Sequence, residues 1–386
     1  MASITLEGDV DHDLVRRASE IRPLLAEHAA RTEAERQVVP EVMAALEEAG
    51  LFEVLVPKRV GGLGATMATQ LAVAAELAKG CASSAWVQTL INVSTWAAAR
   101  MAPEEMFAGP IRPRVCGVLA PSGSATPVEG GYRVTGSWGF ASGSFHATSF
   151  IGGVLVLDEA GEVTGFGTAM MPFGDLSIED TWHVAGMCGT ASNTVVADDV
   201  FLPADRYVPF GAPGQTGDDP ADRWPMGTVL AIVLVGPLLG SARACAETIT
   251  AKAPTRAISY TSYTTTSSSM VAASELAGAT LEIDTAWLHA FQAAAYVDAV
   301  GQGAQRDPHE EARIRGQIGY LTTTLRHAVD RLLDVGGAGC FATANTVQRQ
   351  WRDLNVGSRH AFLATNVSLE TYGRSMFDLD PIVVIV

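Results

Sequence analysis

"DTWHVAGMCGTASNTVVADDVFLP", residues 180–203, is the stretch on which the reading of the fold turns. Trp182 and His183 stand before a Gly-rich turn, and the β-prone run that follows is closed by Pro203. Working outward, "GYRVTGSWGFASG" (131–143) reads as hairpin material, and "TSFIGGVLVLDEAGEVTGFGTAMM" (148–171) as short strands punctuated by Gly and Asp-Glu turns. Residues 114–210 are therefore expected to form a small antiparallel β-domain.

On either side the periodicity is helical. "LVRRASEIRPLLAEHAARTEAE", "PEVMAALEEAGLF" with Pro40 at its start and Gly50 at its stop, "MATQLAVAAELAKG" ending on Gly80, and "SSAWVQTLINVSTWAAARM" predict a helical segment over residues 1–113. A loop rich in Gly, Pro and Asp ("FGAPGQTGDDPADRWP") leads into a second helical segment over 211–386, interrupted by "YTSYTTTSSSM". The long helices of the last third carry few internal charges, which predicts a bundle that also buries surface against neighbouring subunits. The class expected is mostly α with a central β-domain.

The composition narrows the function. Against 26 Lys+Arg stand 42 Asp+Glu, a formal charge of -16. Such a surface repels phosphate backbones and anionic lipid, so neither nucleic acid nor a membrane is expected as a partner. The acidic start, "MASITLEGDVDHDLV", shows no signal or transit peptide, and "VLAIVLVGPLL" from Val229 is too short to span a bilayer. Cytoplasmic residence is the expectation. Five widely spaced cysteines without a CxxC argue against disulfides and against a zinc site, so no metal is expected. "GGLGA" (61–65) lacks a GK[ST] ending and reads as a loop between helices.

The hairpin at 131–143 delivers an aromatic, a hydroxyl and glycines together, which suits a planar ligand edge. An ordinary hairpin with an aromatic core has the same composition. Three motifs in order, "YxVxGxxxFxS" (132–142), "GMxGTxSNxVVxDDVFxP" (186–203) and "GGxG…RxxRD" (336–353), resemble the acyl-CoA dehydrogenase fold. "GLFEVLVPKRVGGLGA" (50–65) resembles that family's N-terminal domain, so the likeness covers nearly the whole chain. The resemblance implies an N-terminal helical domain, a middle β-domain and a C-terminal four-helix bundle. It also implies a flavin bound between the β-domain and the C-terminal helices, in a homotetramer made as a dimer of dimers. On it, Phe140, Ser142, Trp138 and Trp182 fall at the flavin ring, and Gly336, Gly337 and Gly339 near its phosphate or adenine end. Cys188 stands where relatives commonly carry arginine.

Fold does not settle reaction. Members that desaturate acyl-CoA place a glutamate after "RD" as the base that removes the α-proton. Here Ala361 occupies that place, and an alternative base on an earlier helix could only be Glu247. "WRDLNVGSRHAF" (351–362), "WGFASG" and "DTWHVAGM" resemble instead the two-component flavin-dependent monooxygenases on this fold. That likeness implies reduced flavin (FADH2 or FMNH2) from a separate flavin reductase and dioxygen. It further implies a C4a-hydroperoxide that hydroxylates an aromatic or polyketide-derived substrate of the antibiotic-biosynthesis kind. N- or S-oxygenation is the alternative within the group. Ser142 suits flavin N5, and His360 matches the family's catalytic histidine, an imidazole that can accept a phenol's proton. The plain alternative for His360 is a partner in the backbone or Asp353, with Arg352 and Asp353 forming an ion pair that positions the loop. "NVSTW" (92–96) stands where relatives acting on simple phenols carry a second histidine. Asn92 and Ser94, with Trp86 and His146, are therefore expected at the pocket for a larger aromatic. His183 is a further candidate that could equally face solvent.

Overall fold

The computed structural model describes residues 9–109, 112–212 and 218–383. The first eight residues of the acidic start and residues 213–217 of the Gly- and Pro-rich loop lie outside the described residues. The chain opens with four helices: α1 (His12–Glu35), α2 (Pro40–Glu48), α3 (Met67–Gly80) and α4 (Ala82–Met101). Asp11 starts α1 by accepting the N–H groups of Asp13 and Leu14, and Thr66 does the same for α3 through Thr69. Extended Cys81 alone separates α3 from α4, and both helices are almost wholly buried.

Seven strands follow: β1 (Val115–Val128), β2 (Gly131–Ala141), β3 (Ser149–Leu157), β4 (Val163–Pro172), β5 (Ser177–Glu179), β6 (Asn193–Pro203) and β7 (Tyr207–Pro209). They form one sheet in the order β5-β6-β2-β1-β3-β4-β7. The sheet departs from the antiparallel expectation at one pairing, because β1 and β3 run parallel. The cause is topological: β2 returns along one edge of β1, and residues 142–148 then carry the chain across the end of the sheet to the other edge. That crossing holds Ser142 and His146 and passes under α4, where Gly143 faces Val87 and Ile91.

The last part comprises α5 (Met226–Ile232), α6 (Val235–Lys252), α7 (Met270–Gly301), α8 (Pro308–Gly336), α9 (Thr346–Gly357) and α10 (Thr365–Ser375). Helices α6, α7, α8 and α10 pack as a four-helix bundle, with α9 laid against α6. The interruption at "YTSYTTTSSSM" is a loop ended by a short 3₁₀ turn before α7. α6 also packs on α3 at very short range, since a Cβ at Gly240 would sit 2.0 Å from the Ala75 carbonyl oxygen. One core thus joins the first and last helices, and the apolar Met226–Lys252 stretch is buried within it.

Candidate active site

The site begins with a fault in a strand. Between the pairs Trp138↔Val195 and Ala141↔Asn193, β2 carries two residues where β6 carries one. This β-bulge re-aims a side chain. Phe140 takes a left-handed backbone (φ 65) and stands 73% exposed, edge-on to Trp182 at 5.9 Å. Trp182 is fixed from behind, its backbone N–H donating to Asn193 Oδ1 and its indole N–H to the Met187 carbonyl. Trp138 does not join them, contrary to expectation. It is fully buried against Phe150 and its indole N–H donates to the Gly153 carbonyl at 2.8 Å, so it belongs to the sheet core.

Ser142 ends a buried chain of hydroxyls. The Thr190 hydroxyl donates to the Met187 carbonyl at 2.8 Å, and Thr190–Ser192 and Ser192–Ser142 oxygens lie 2.7 Å apart. With Thr190 committed to a carbonyl, the donors run one way, Ser142 to Ser192 to Thr190. Trp86 donates its indole N–H to Ser142 Oγ at 3.3 Å. The oxygen therefore keeps one lone pair for an incoming N–H and has no proton of its own to offer.

The same indole touches the second predicted catalytic residue. His360 lies edge-on to Trp86 and stacks on Phe362, each at 5.8 Å. Its Nδ1 accepts the Phe362 N–H at 3.2 Å, capping the turn Ala361–Leu363. That bond assigns the neutral ring's proton to Nε2. Burial, then the nearby Arg315 charge, pushes the His360 pKa down to about 4. An imidazole in this state presents a hydrogen-bond donor, which revises the expectation of a base.

The "RD" pair anchors this corner, though not as an ion pair. Successive helical residues point in different directions. Asp353 is buried and accepts the Met187 N–H at 2.5 Å, while Arg352 donates to the Ala185 carbonyl and pairs with Glu33. Burial pushes the Asp353 carboxyl up to about 7. Gly186 permits the contact, because a Cβ there would lie 2.3 Å from the Arg352 carbonyl oxygen.

His360, Ala361 and Phe362 line a cavity of about 700 Å³ with Phe140 and Gly139. Leu90, Val93, Ser94 and Ala97 supply the wall from α4, and Leu230 and Leu234 another, while Arg315 and Arg359 bring charge. Ser94 is thus at the cavity as expected. Asn92 is not: it is fully buried, accepting the Leu55 N–H and donating to the Leu51 carbonyl, and so fastens the 51–55 turn. Trp86 sits behind the wall, and His146 does not line the cavity. Burial, then Arg114, holds the His146 imidazole down at about 4, and its Nε2 has no hydrogen-bond partner among the described residues. His183 lies on the surface in the Arg36–Asp180 network. Cys188 is buried with its thiol directed at the Val184 carbonyl, and Glu247 pairs with Lys79 away from the cavity. Sequence reasoning missed Arg315, Leu230 and Leu234, none of which sits in a local motif, and passed over Phe362, the last residue of the 351–362 motif.

Gly336 and Gly339 line a separate cavity of about 220 Å³ with Lys252, Arg256 and Asn345. The intervening Gly337 takes a left-handed φ of 63 beside Arg256. The two cavities share no lining residue. Exposed Phe140 and half-buried Trp182 beside an acceptor hydroxyl fit the edge of a reduced flavin ring, and a turn of glycines flanked by two cations fits a phosphate.

Helices, sheet and helices with a cavity at their junction define a flavoprotein of the acyl-CoA dehydrogenase fold. The family models for the acyl-CoA dehydrogenase N-terminal and C-terminal domains match residues 13–107 and 232–365. The flavin-dependent monooxygenase oxygenase subunit HsaA of Rhodococcus jostii (strain RHA1) is 30% identical over 378 residues, 95% of this chain and 98% of the relative. The oxygenase component of an FADH2-dependent resorcinol hydroxylase from Rhizobium sp. (strain MTP-10005) is 32% identical, covering 95% of each chain. The solved structure of XiaF from Streptomyces sp., in complex with FADH2 and glycerol, superposes with a TM-score of 0.92 at 33% identity, over 97% of each chain. The chain belongs to the flavin-dependent monooxygenases built on this fold.

Proposed function

We propose that the protein is the oxygenase component of a two-component system, taking reduced flavin from a separate reductase and hydroxylating a multi-ring aromatic or polyketide-derived substrate. One observation carries the reading: Ala361 stands beside His360 on the cavity wall, and among the described residues no carboxylate lines that cavity. Abstraction of an α-proton, the dehydrogenase step, has no base there. Reduced flavin, when bound, activates dioxygen for transfer of one oxygen atom to the substrate.

The chain's residues have separate tasks in this reading. Phe140 and Trp182 hold the ring, and Ser142 accepts a ring N–H, which keeps that proton in place. His360 donates from Nε2 to the phenolic oxygen, stabilising negative charge as it develops there. The apolar faces of α4 and α5 exclude water. The Gly336–Gly339 cavity, with Lys252 and Arg256, receives the phosphate end of a flavin held by a neighbouring subunit. The lack of any lining residue shared by the two cavities fits that assignment, and the reading carries with it a cytoplasmic homotetramer built as a dimer of dimers.

The test supplies the protein with FADH2 or FMNH2 from a reductase, under ¹⁸O₂, with 2-naphthol as substrate. One labelled oxygen per hydroxylated product is expected. Unlabelled product, or anaerobic reduction of bound oxidised flavin by an acyl-CoA, overturns the reading.

A further inference from the structure

The α8 side of the main cavity carries charge that the hydroxylation itself does not use. Arg315 lines the cavity, yet no carboxylate oxygen of the described residues pairs with it. Its one hydrogen bond there is long, Nη2 to the Ala361 carbonyl at 3.5 Å, and its Nε is buried without a partner. Burial draws its pKa down to about 10. Arg359 lines the same cavity and donates to Asn355. In a chain of charge -16, two guanidinium groups thus line one cavity with neutral hydrogen-bond partners. A buried cation without a counter-ion is costly, and a bound anion removes that cost.

The position of Arg315 says which part of a substrate it reads. Its guanidinium lies 5.5 Å from the centre of the Phe362 ring, and His360 stacks on that same ring at 5.8 Å. Both side chains therefore flank one ring on the cavity wall, and a single substrate can meet the imidazole with one group and the guanidinium with another. The cavity, at about 700 Å³, has room for several fused rings. On the other side of Arg315, a cavity of about 350 Å³ is lined by Asp378 and Asp380, whose field opposes a dianion such as phosphate, and by Glu311, which Arg306 pairs. A planar carboxylate matches a guanidinium fork.

Resting on the hydroxylase reading above, we propose that the substrate is a fused-ring phenol bearing a carboxylate, and that Arg315 selects it by pairing with that carboxylate.

The experiment measures anaerobic binding, by calorimetry, of 6-hydroxy-2-naphthoate and of its methyl ester to the protein loaded with FADH2. The wild type is expected to bind the acid at least about tenfold more tightly than the ester. Arg315→Gln is expected to weaken the acid by about ten- to a hundredfold while the ester changes less than about threefold, and Arg315→Lys to recover part of the loss. Affinity for FADH2, measured separately, is expected to stay the same. Equal binding of acid and ester by the wild type overturns the proposal without any variant. So does an Arg315→Gln protein that loses acid and ester equally, or that loses FADH2 binding, which would assign the cation to the cofactor. If the chain fails to bind FADH2 at all, the hydroxylase reading falls, while the acid–ester comparison on the flavin-free protein still reads the anion site.

Discussion

Replacing His360 by glutamine and by alanine separates the two uses an imidazole can have at this wall. The Phe362 N–H engages Nδ1 at 3.2 Å, so the neutral ring offers its proton from Nε2. With a pKa near 4, about one ring in a thousand is protonated at pH 7. A hydrogen bond from that proton to an oxygen gaining charge contributes about 1.5–3 kcal/mol. Alanine should therefore lower kcat/KM by about tenfold to a hundredfold. Glutamine keeps an N–H donor and no basic nitrogen, and should stay within about fivefold of wild type. The assay couples the protein to a reductase and follows product and hydrogen peroxide together from pH 6 to 9. For a base, glutamine and alanine would be equally poor, by about 10²–10⁴. That equality, or a wild-type break near pH 6.5 that both variants abolish, refutes the donor assignment. Stability carries its own sign: the folded-state pKa lies below the usual 6.5, so the group costs stability as pH falls from about 6.5 toward 4.

Ser142→Ala removes the acceptor at the end of the hydroxyl chain. It should fold with a loss of about 1 kcal/mol and consume dioxygen, but release a larger share as hydrogen peroxide, read from the product-to-peroxide ratio. Asp353→Asn keeps an oxygen for the Met187 N–H while removing a carboxyl whose folded pKa, about 7, lies above the usual 3.8. A group raised in this way stabilises fully below the lower value, and its contribution is lost as pH rises through about 7. The wild type should therefore lose on the order of 4 kcal/mol between pH 4 and 8 that the asparagine variant keeps, seen as a smaller pH dependence of its melting temperature. Gly186→Ala drives a Cβ into the Arg352 backbone and should cost about 1–3 kcal/mol, with a lowered melting temperature.

Much of the architecture is local chemistry and was legible. Pro40 at a helix start, the Gly50 and Gly80 stops, and the β-prone run closed by Pro203 specify elements wherever they stand in space. The likeness of "GFAS" and "SRHAF" to a family's motifs pointed to Phe140, Ser142 and His360, and the structure sets Ser142 and His360 on either side of one indole. Of the α4 wall only Ser94 was foreseen: Leu90, Val93 and Ala97 share its helical face, whereas the expected Asn92 turns away from it.

What the chain's order of residues could not fix is facing and distant company. Trp138 and Phe140, two apart, would share a face of a regular strand. One extra residue in the bulge reverses Phe140 toward solvent and leaves Trp138 in the core, and no local signal marks that residue. The tautomer of His360 depends on a turn that closes back on its own ring, and its low pKa on burial first and on the charge of Arg315 second. Arg315 itself reaches the cavity only because α8 and the turn after α9 come together, so its meaning as a charge with no carboxylate partner among the described residues exists only in three dimensions.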